Sequence, residues 1–255
     1  MNEFFIRFNL QDMVFSFQTE DFYNEKKMQA SKEDVDKFIE ECKNWQKEKA
    51  DILKKEIDLS PLHGKRILYI GDSITAERTS YRGITTYAAD FEATNGAISG
   101  ATSVDMLRFL KENIKKSDAE IISIMIGTND SGLITGGLSI VSPDEYRRNI
   151  REILRISKEK TDKVMISTLP PLNEEIICKT NNLLFDGRFQ KMKDVMSEIV
   201  REESERAGVL LNDVALHMKD MDKGVILEED GTHLTKEGQF IYARNWLLNI
   251  LKLYK

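Results

Sequence analysis

The chain has 255 residues, with 37 Lys and Arg against 43 Asp and Glu for a formal net charge of −6, and 41% of its residues are hydrophobic. At roughly 100–200 residues per domain this is one large domain, or one domain with an appendage, long enough to bury a core without covalent staples. A net acidic chain with no long basic run lacks the electrostatic footprint of a nucleic-acid binder, so the expected partner is a small molecule. No stretch approaches the roughly 18 uninterrupted apolar residues of a membrane span, so no membrane insertion is expected. The first residues are broken by Glu3 and Arg7 and show no secretory leader, which makes the cytoplasm the expected location. The two cysteines, Cys42 and Cys178, sit in unrelated segments, which argues against a disulfide framework, a zinc knuckle or a redox pair.

In chain order, the segment from Glu3 to Phe17 reads EFFIRFNLQDMVFSF, and its partial alternation predicts a short hairpin or edge strand. Ser31-Lys32-Glu33-Asp34 then resembles a capping box, and Val35, Phe38, Ile39, Cys42 and Trp45 recur at helical spacing, predicting an amphipathic helix to about Leu53. Its apolar stripe either covers an edge of the following domain or meets a second copy of the chain in a homo-oligomer. A turn-rich junction from Asp58 to Gly64 separates this N-terminal extension, residues 1–63, from a main domain of residues 64–255.

Beyond the junction, short β-branched runs alternate with helical patterns. The runs are Arg66 to Ile70, Glu92 to Asn95, Glu120 to Ile126, Lys163 to Thr168 and Val209 to Asn212; the helical patterns are Ser103 to Lys115, Ser142 to Lys158, Phe189 to Ala207 and Lys236 to Leu253. The run Ile121-Ile122-Ser123-Ile124-Met125-Ile126 has almost no polar face, as a strand covered on both sides requires. Ser142-Pro143-Asp144-Glu145 is a strong helix start. Five rounds of strand and helix predict an α/β fold, a parallel sheet in a three-layer α/β/α sandwich. In such sheets ligands bind beyond the carboxyl ends of the strands, so the loops to inspect begin at Gly71, Gly96, Gly127, Leu169 and Asp213.

The first of these loops reads Gly71-Asp72-Ser73-Ile74-Thr75. A serine at a strand-to-helix junction sits on a sharp turn with its own N–H pointing the same way as its hydroxyl, although a lone serine there equally serves as a helix cap. The second, Asn95 to Ser103, contains Gly96 and Gly100, where a backbone N–H can approach a ligand with no side chain in the way. The third, Gly127-Thr128-Asn129-Asp130, offers an asparagine amide to a developing oxyanion, or a plain Asx turn. Asp230-Gly231-Thr232-His233 closes the set just before the last helix: a carboxylate and an imidazole in one turn can pair, fixing the ring tautomer. Of the other two histidines, His63 lies in the junction, and His217, with Asp213 four residues before it, is the rival for the base.

Together these four segments resemble the SGNH hydrolases, the GDSL family of esterases and lipases, over about Lys65 to Lys255. The resemblance implies a flavodoxin-like sandwich with a five-stranded parallel sheet, Ser73 as nucleophile, Asp230 and His233 as the other triad members, and an oxyanion hole of the Ser73 N–H, Gly100 and Asn129. It implies acyl transfer to serine and then to water, with no cofactor and no metal. Ile74 stands where many relatives carry leucine, a volume-conserving change. Within that reading the expected substrate is a short-chain, acetyl ester of a carbohydrate, with lysophospholipase or thioesterase activity as the alternative and a non-catalytic binder on the same fold as the alternative of another class. Arg78 and Arg82, shortly after the nucleophile, read as solvated surface arginines in preference to binders of a sugar hydroxyl or a carboxylate.

Overall fold

The structure, a computed structural model, describes residues 6–7, 30–134, 137–177 and 190–254. Five parallel strands form the central sheet: β1 (Arg66–Gly71), β2 (Glu92–Asn95), β3 (Ile121–Met125), and, after a two-stranded antiparallel hairpin β4 (Leu133–Ile134) and β5 (Leu138–Ser139), β6 (Val164–Ser167) and β7 (Leu210–Asn212). Their spatial order is β2-β1-β3-β6-β7. The register pairs Ile67 with Ile121 and Ile122 with Val164, so the most apolar run, β3, lies in the centre with every residue buried. The expected three-layer α/β sandwich is what the chain adopts.

The helices are α1 (Lys32–Glu56), α2 (Ser73–Ala76), α3 (Tyr81–Ala89), α4 (Ser103–Ser117), α5 (Pro143–Lys160), α6 (Glu174–Ile177), α7 (Gln190–Ala207), α8 (Val214–His217), α9 (Lys223–Ile226) and α10 (Lys236–Ile250). Helices α4, α5 and α7 pack side by side over one face of the sheet, and α3 and α10 cover the other. The helix starts follow their capping residues. Ser142 accepts from the Glu145 N–H with Pro143 in the first turn, and Thr102 and Asp105 form a reciprocal capping box at the head of α4. Trp246 of α10 is fully buried and donates its indole N–H to Ser123 Oγ at 2.9 Å, fastening the last helix to the central strand.

The structure departs from the sequence pattern in three segments. Of the segment from Glu3 to Phe17, expected to be strand or hairpin, the structure describes only Ile6 and Arg7, and these lie in a helical turn; the rest falls outside the described residues. Helix α3 was not legible, because Gly83, Thr85, Thr86 and Tyr87 are weak helix formers. It forms because it is enclosed: it packs against α1 and α10, and Tyr81 stacks on Tyr242 with ring centroids 4.0 Å apart. The predicted N-terminal helix runs longer than expected, and its apolar stripe divides. Ala50, Leu53 and Ile57 join the main core, whereas Val35, Phe38 and Cys42 form a small separate cluster with Ile6 and Ala30. Gln46 of α1 donates to the carbonyls of Arg78 at 2.8 Å and Ser80 at 3.2 Å, so the helix is docked by polar as well as apolar contacts.

Candidate active site

The β1 strand ends at Gly71, where any side chain would collide with the Met125 carbonyl at 2.5 Å and Thr75 Oγ1 at 2.6 Å, so only glycine allows the tight turn into α2. Asp72 caps that turn, one carboxylate oxygen accepting from the Ile74 N–H at 3.1 Å. Ser73 is therefore the first helical residue. It has no carbonyl one turn earlier within its helix, so its N–H faces outward from the helix start.

On the far side of the sheet's carboxyl end, the turn before α10 presents His233. Ser73 Oγ lies 2.8 Å from His233 Nε2, and His233 Nδ1 lies 2.5 Å from Asp230 Oδ2. The other Asp230 oxygen accepts from the backbone N–H groups of Thr232 at 2.9 Å and His233 at 3.0 Å. Partial burial pushes the Asp230 carboxyl up, but the hydrogen bonds from His233 and these amides outweigh it and hold the group well below the usual carboxylate range. An ionised Asp230 fixes the proton of the neutral imidazole on Nδ1 and leaves Nε2 as an acceptor facing the serine hydroxyl. Ser73 is almost buried, and the two partner side chains are partly exposed, so the cluster meets solvent at its rim.

The two loops beside Ser73 are tied to it and to each other. Gly100 takes a left-handed φ of +80°, and a Cβ there would meet nothing within 4 Å, so backbone conformation rather than crowding calls for glycine. Asn129 Nδ2 donates to the Ala101 carbonyl at 3.0 Å, joining the loop after β3 to the loop after β2. Thr128 N–H donates to the second Asp72 oxygen at 3.3 Å, joining the loop after β3 to the one after β1. Next in sequence, the buried Asp130 accepts from the Ser103 N–H at the head of α4 at 3.0 Å and from its hydroxyl, to which Asn149 of α5 also donates at 3.0 Å. Burial raises the Asp72 carboxyl and pushes Asp130 up to about 7 despite the Ser103 bonds.

The structure thus brings Ser73, His233 and Asp230 into one chain of hydrogen bonds, with Gly100 and Asn129 on the adjoining loops. His217 stands apart from them. It is exposed at the end of α8, and Asp213, its potential acid partner, is engaged by Arg201 through two bonds at 2.8 and 2.9 Å and by the Leu216 N–H. Arg78 and Arg82 are half-buried rather than solvated; Arg82 donates to the carbonyls of Thr75 at 3.2 Å and Ala76 at 3.4 Å, closing the end of α2. The sequence reading also passed over Arg7, Glu77 and Gln239, buried polar residues behind the site. The one local signal among them is the charge of Arg7 within the otherwise apolar Phe5-Ile6-Arg7-Phe8. Among the described residues no cluster of three or more His, Cys, Asp or Glu side chains is arranged to hold a metal ion, and no helix is long and apolar enough to cross a membrane.

A serine hydroxyl hydrogen-bonded to a carboxylate-paired histidine, set beyond the carboxyl ends of a parallel sheet, defines a serine hydrolase site. The chain belongs to the GDSL-like lipase/acylhydrolase family, whose model matches residues 69–240, and it is a serine ester hydrolase. Among curated proteins it is similar to the uncharacterized lipoprotein YqeF of Bacillus subtilis (strain 168), 25% identical over 165 residues that make up 56% of this chain and 67% of that protein. Among solved structures it resembles a lipase/acylhydrolase from Enterococcus faecalis, with 17% identity, a TM-score of 0.63 and coverage of 74% of this chain and 96% of that one. It also resembles an acetyl xylan esterase from Geobacillus stearothermophilus, at 22% identity and a TM-score of 0.60 over 74% of this chain and 95% of that one.

Proposed function

We propose that the chain hydrolyses short-chain acyl esters, acetyl esters of a carbohydrate, through a covalent intermediate on Ser73. The observation that carries the chemistry is the Ser73 to His233 to Asp230 hydrogen-bond chain, at 2.8 and 2.5 Å. In the proposed cycle His233 Nε2 takes the Ser73 proton as Oγ attacks the ester carbonyl, and the carbonyl oxygen becomes an oxyanion. The N–H groups of Ser73 and Gly100 and the Asn129 amide are the proposed donors to that oxyanion. They lie on loops held in place before the reaction, so little reorganisation is needed as charge develops. The imidazolium then gives its proton to the leaving alcohol oxygen as the C–O bond breaks. Water, deprotonated by the same nitrogen, attacks the acyl-enzyme and releases the carboxylic acid.

The acetyl preference is supported by the acetyl xylan esterases among the structural neighbours. Hydrolysis rates of p-nitrophenyl esters from acetate to palmitate test it, with acetate expected fastest; a preference for chains of about eight carbons or more refutes it in favour of a lysophospholipase or thioesterase. A fluorophosphonate that labels wild-type protein and fails to label Ser73→Ala tests the nucleophile. Absence of labelling in folded wild type would favour a binder over an enzyme. We also propose that residues 1–63 form an extension packed on a domain spanning 64–255, a reading supported by the presence of Ala50 and Leu53 of α1 in the main core.

A further inference from the structure

Behind the Ser73 to His233 contact lies a buried polar cluster built around a residue far upstream of the segment that matches the family. Arg7 is 3% exposed. Its guanidinium donates to Glu77 Oε1 at 2.7 Å, Thr79 Oγ1 at 2.8 Å, the Leu234 carbonyl at 2.9 Å and Glu228 Oε1 at 2.7 Å, and its own carbonyl accepts from the Arg78 N–H at 2.9 Å. These partners come from two segments far apart in the sequence. Glu77, Arg78 and Thr79 directly follow α2, and the Glu77 N–H donates to the Ser73 carbonyl at 3.0 Å. Leu234 adjoins His233, and the Glu228 N–H donates to the His233 carbonyl at 2.8 Å. One guanidinium therefore touches both the turn that carries the serine and the turn that carries the histidine, each a single hydrogen bond or peptide unit from the residue itself.

Gln239 of α10 reinforces the same junction. It donates to the Ile74 carbonyl at 3.3 Å and to Glu77, and accepts from the Tyr81 N–H at 2.8 Å. Glu77 is fully buried, and Arg7 is its cationic partner; removing that partner leaves a carboxylate in the interior, which must either take up a proton or move toward water. Either response disturbs the segment one turn from Ser73. Arginine suits the role better than lysine because its planar fork serves several acceptors at fixed angles, whereas an ammonium is a single point charge.

We propose that Arg7 is a positioning residue for ester hydrolysis: by locking the Ser73 turn to the His233 turn, a residue upstream of the sheet domain completes that domain's active site. The inference rests on the reading of Ser73 and His233 as nucleophile and base. Nothing in it requires Arg7 to touch substrate. A serine and a histidine that meet across 160 residues must be held to within about 0.5 Å, and a displacement of about 1 Å costs on the order of 10²-fold in rate.

The test uses the full chain and p-nitrophenyl acetate, with kcat and KM measured separately at a temperature where melting curves show each variant folded. Arg7→Met is expected to lower kcat by about 10²-fold while KM changes by less than about threefold, and Arg7→Lys to recover part of the loss. Leu53→Ala, a core variant in α1 outside the Arg7 cluster, serves as the control for lowered stability and is expected to keep its kcat. A kcat for Arg7→Met within about threefold of wild type, or an equal loss in Leu53→Ala, overturns the proposal. Should Arg7→Met fail to fold, Glu228→Gln, at the half-exposed end of the cluster, is expected to lower kcat several-fold with little change in melting temperature, and a wild-type kcat there overturns the proposal. Ser73→Ala separates the two levels: if it abolishes hydrolysis while Arg7→Met does not weaken it, the positioning role alone fails, and if Ser73→Ala stays active, the nucleophile assignment fails first.

Discussion

Replacing Asp230 by asparagine probes the site at its most informative atom. Asp230 Oδ1 accepts two backbone N–H groups, at 2.9 and 3.0 Å, and Oδ2 faces His233 Nδ1 at 2.5 Å. An asparagine can keep its single carbonyl oxygen on the two amides, which need an acceptor, only by turning its NH₂ group toward Nδ1. That group donates, so Nδ1 must become the acceptor and the imidazole proton moves to Nε2, the nitrogen opposite Ser73 Oγ. In that tautomer the ring cannot take the serine proton. The reverse orientation restores the tautomer but points an NH₂ group at two N–H donors, leaving both without an acceptor at about 1–3 kcal/mol each. The turn thus keeps its shape and loses its chemistry. By analogy with serine proteases, kcat should fall by about 10⁴-fold, roughly 5 kcal/mol in the barrier, with KM and melting temperature little changed. Steady-state hydrolysis of p-nitrophenyl acetate, with the rate of fluorophosphonate labelling as an independent measure of serine reactivity, provides the assay. An Asp230→Asn variant that keeps more than about a tenth of wild-type kcat would refute the tautomer reasoning, because its predicted loss is three decades larger.

Three further outcomes follow from the same geometry. Asn129→Ala, which deletes one proposed oxyanion donor and the bond to the Ala101 carbonyl, should lower kcat on the order of 10² to 10³ with KM nearly unchanged, as read from saturation kinetics. Asp130 has a carboxyl pushed above its unfolded value of about 4 to about 7, so the folded state binds the extra proton between those limits. Its contribution to stability is therefore full below about pH 4 and declines as pH rises through about 7; denaturant midpoints across pH 5 to 8 should fall in wild type and flatten in Asp130→Asn, and parallel curves would count against it. Leu53→Ala removes a fully buried side chain from the α1 contact with the core and should destabilise by about 2–5 kcal/mol in urea unfolding, with kcat retained below the transition.

The sandwich was largely legible because the strand runs are short and flanked by turn residues, with β3 and β6 rich in isoleucine and valine, and because Ser142-Pro143 and Thr102 mark helix starts by capping chemistry that acts within a few residues. The site motifs were legible for the same reason. Gly71-Asp72-Ser73, Gly127 to Asp130 and Asp230 to His233 each carry their chemistry in one turn, and the Asp230 to His233 bond closes over three residues. Helix α3 was not, since its threonines and glycine argue against a helix locally and only enclosure between α1 and α10 overrides them. Nor were the supports behind the site. Asp130 reaches Ser103 across 27 positions, and Arg7 reaches Glu77 across 70 and Glu228 across 221. Local sequence determined which residues form the proposed reactive groups, because pairing within a turn depends on spacing alone. Only the folded chain decided what holds those turns against one another, because a buried charge finds its partner by where packing leaves an oxygen to receive it, and that place has no counterpart in the order of the residues.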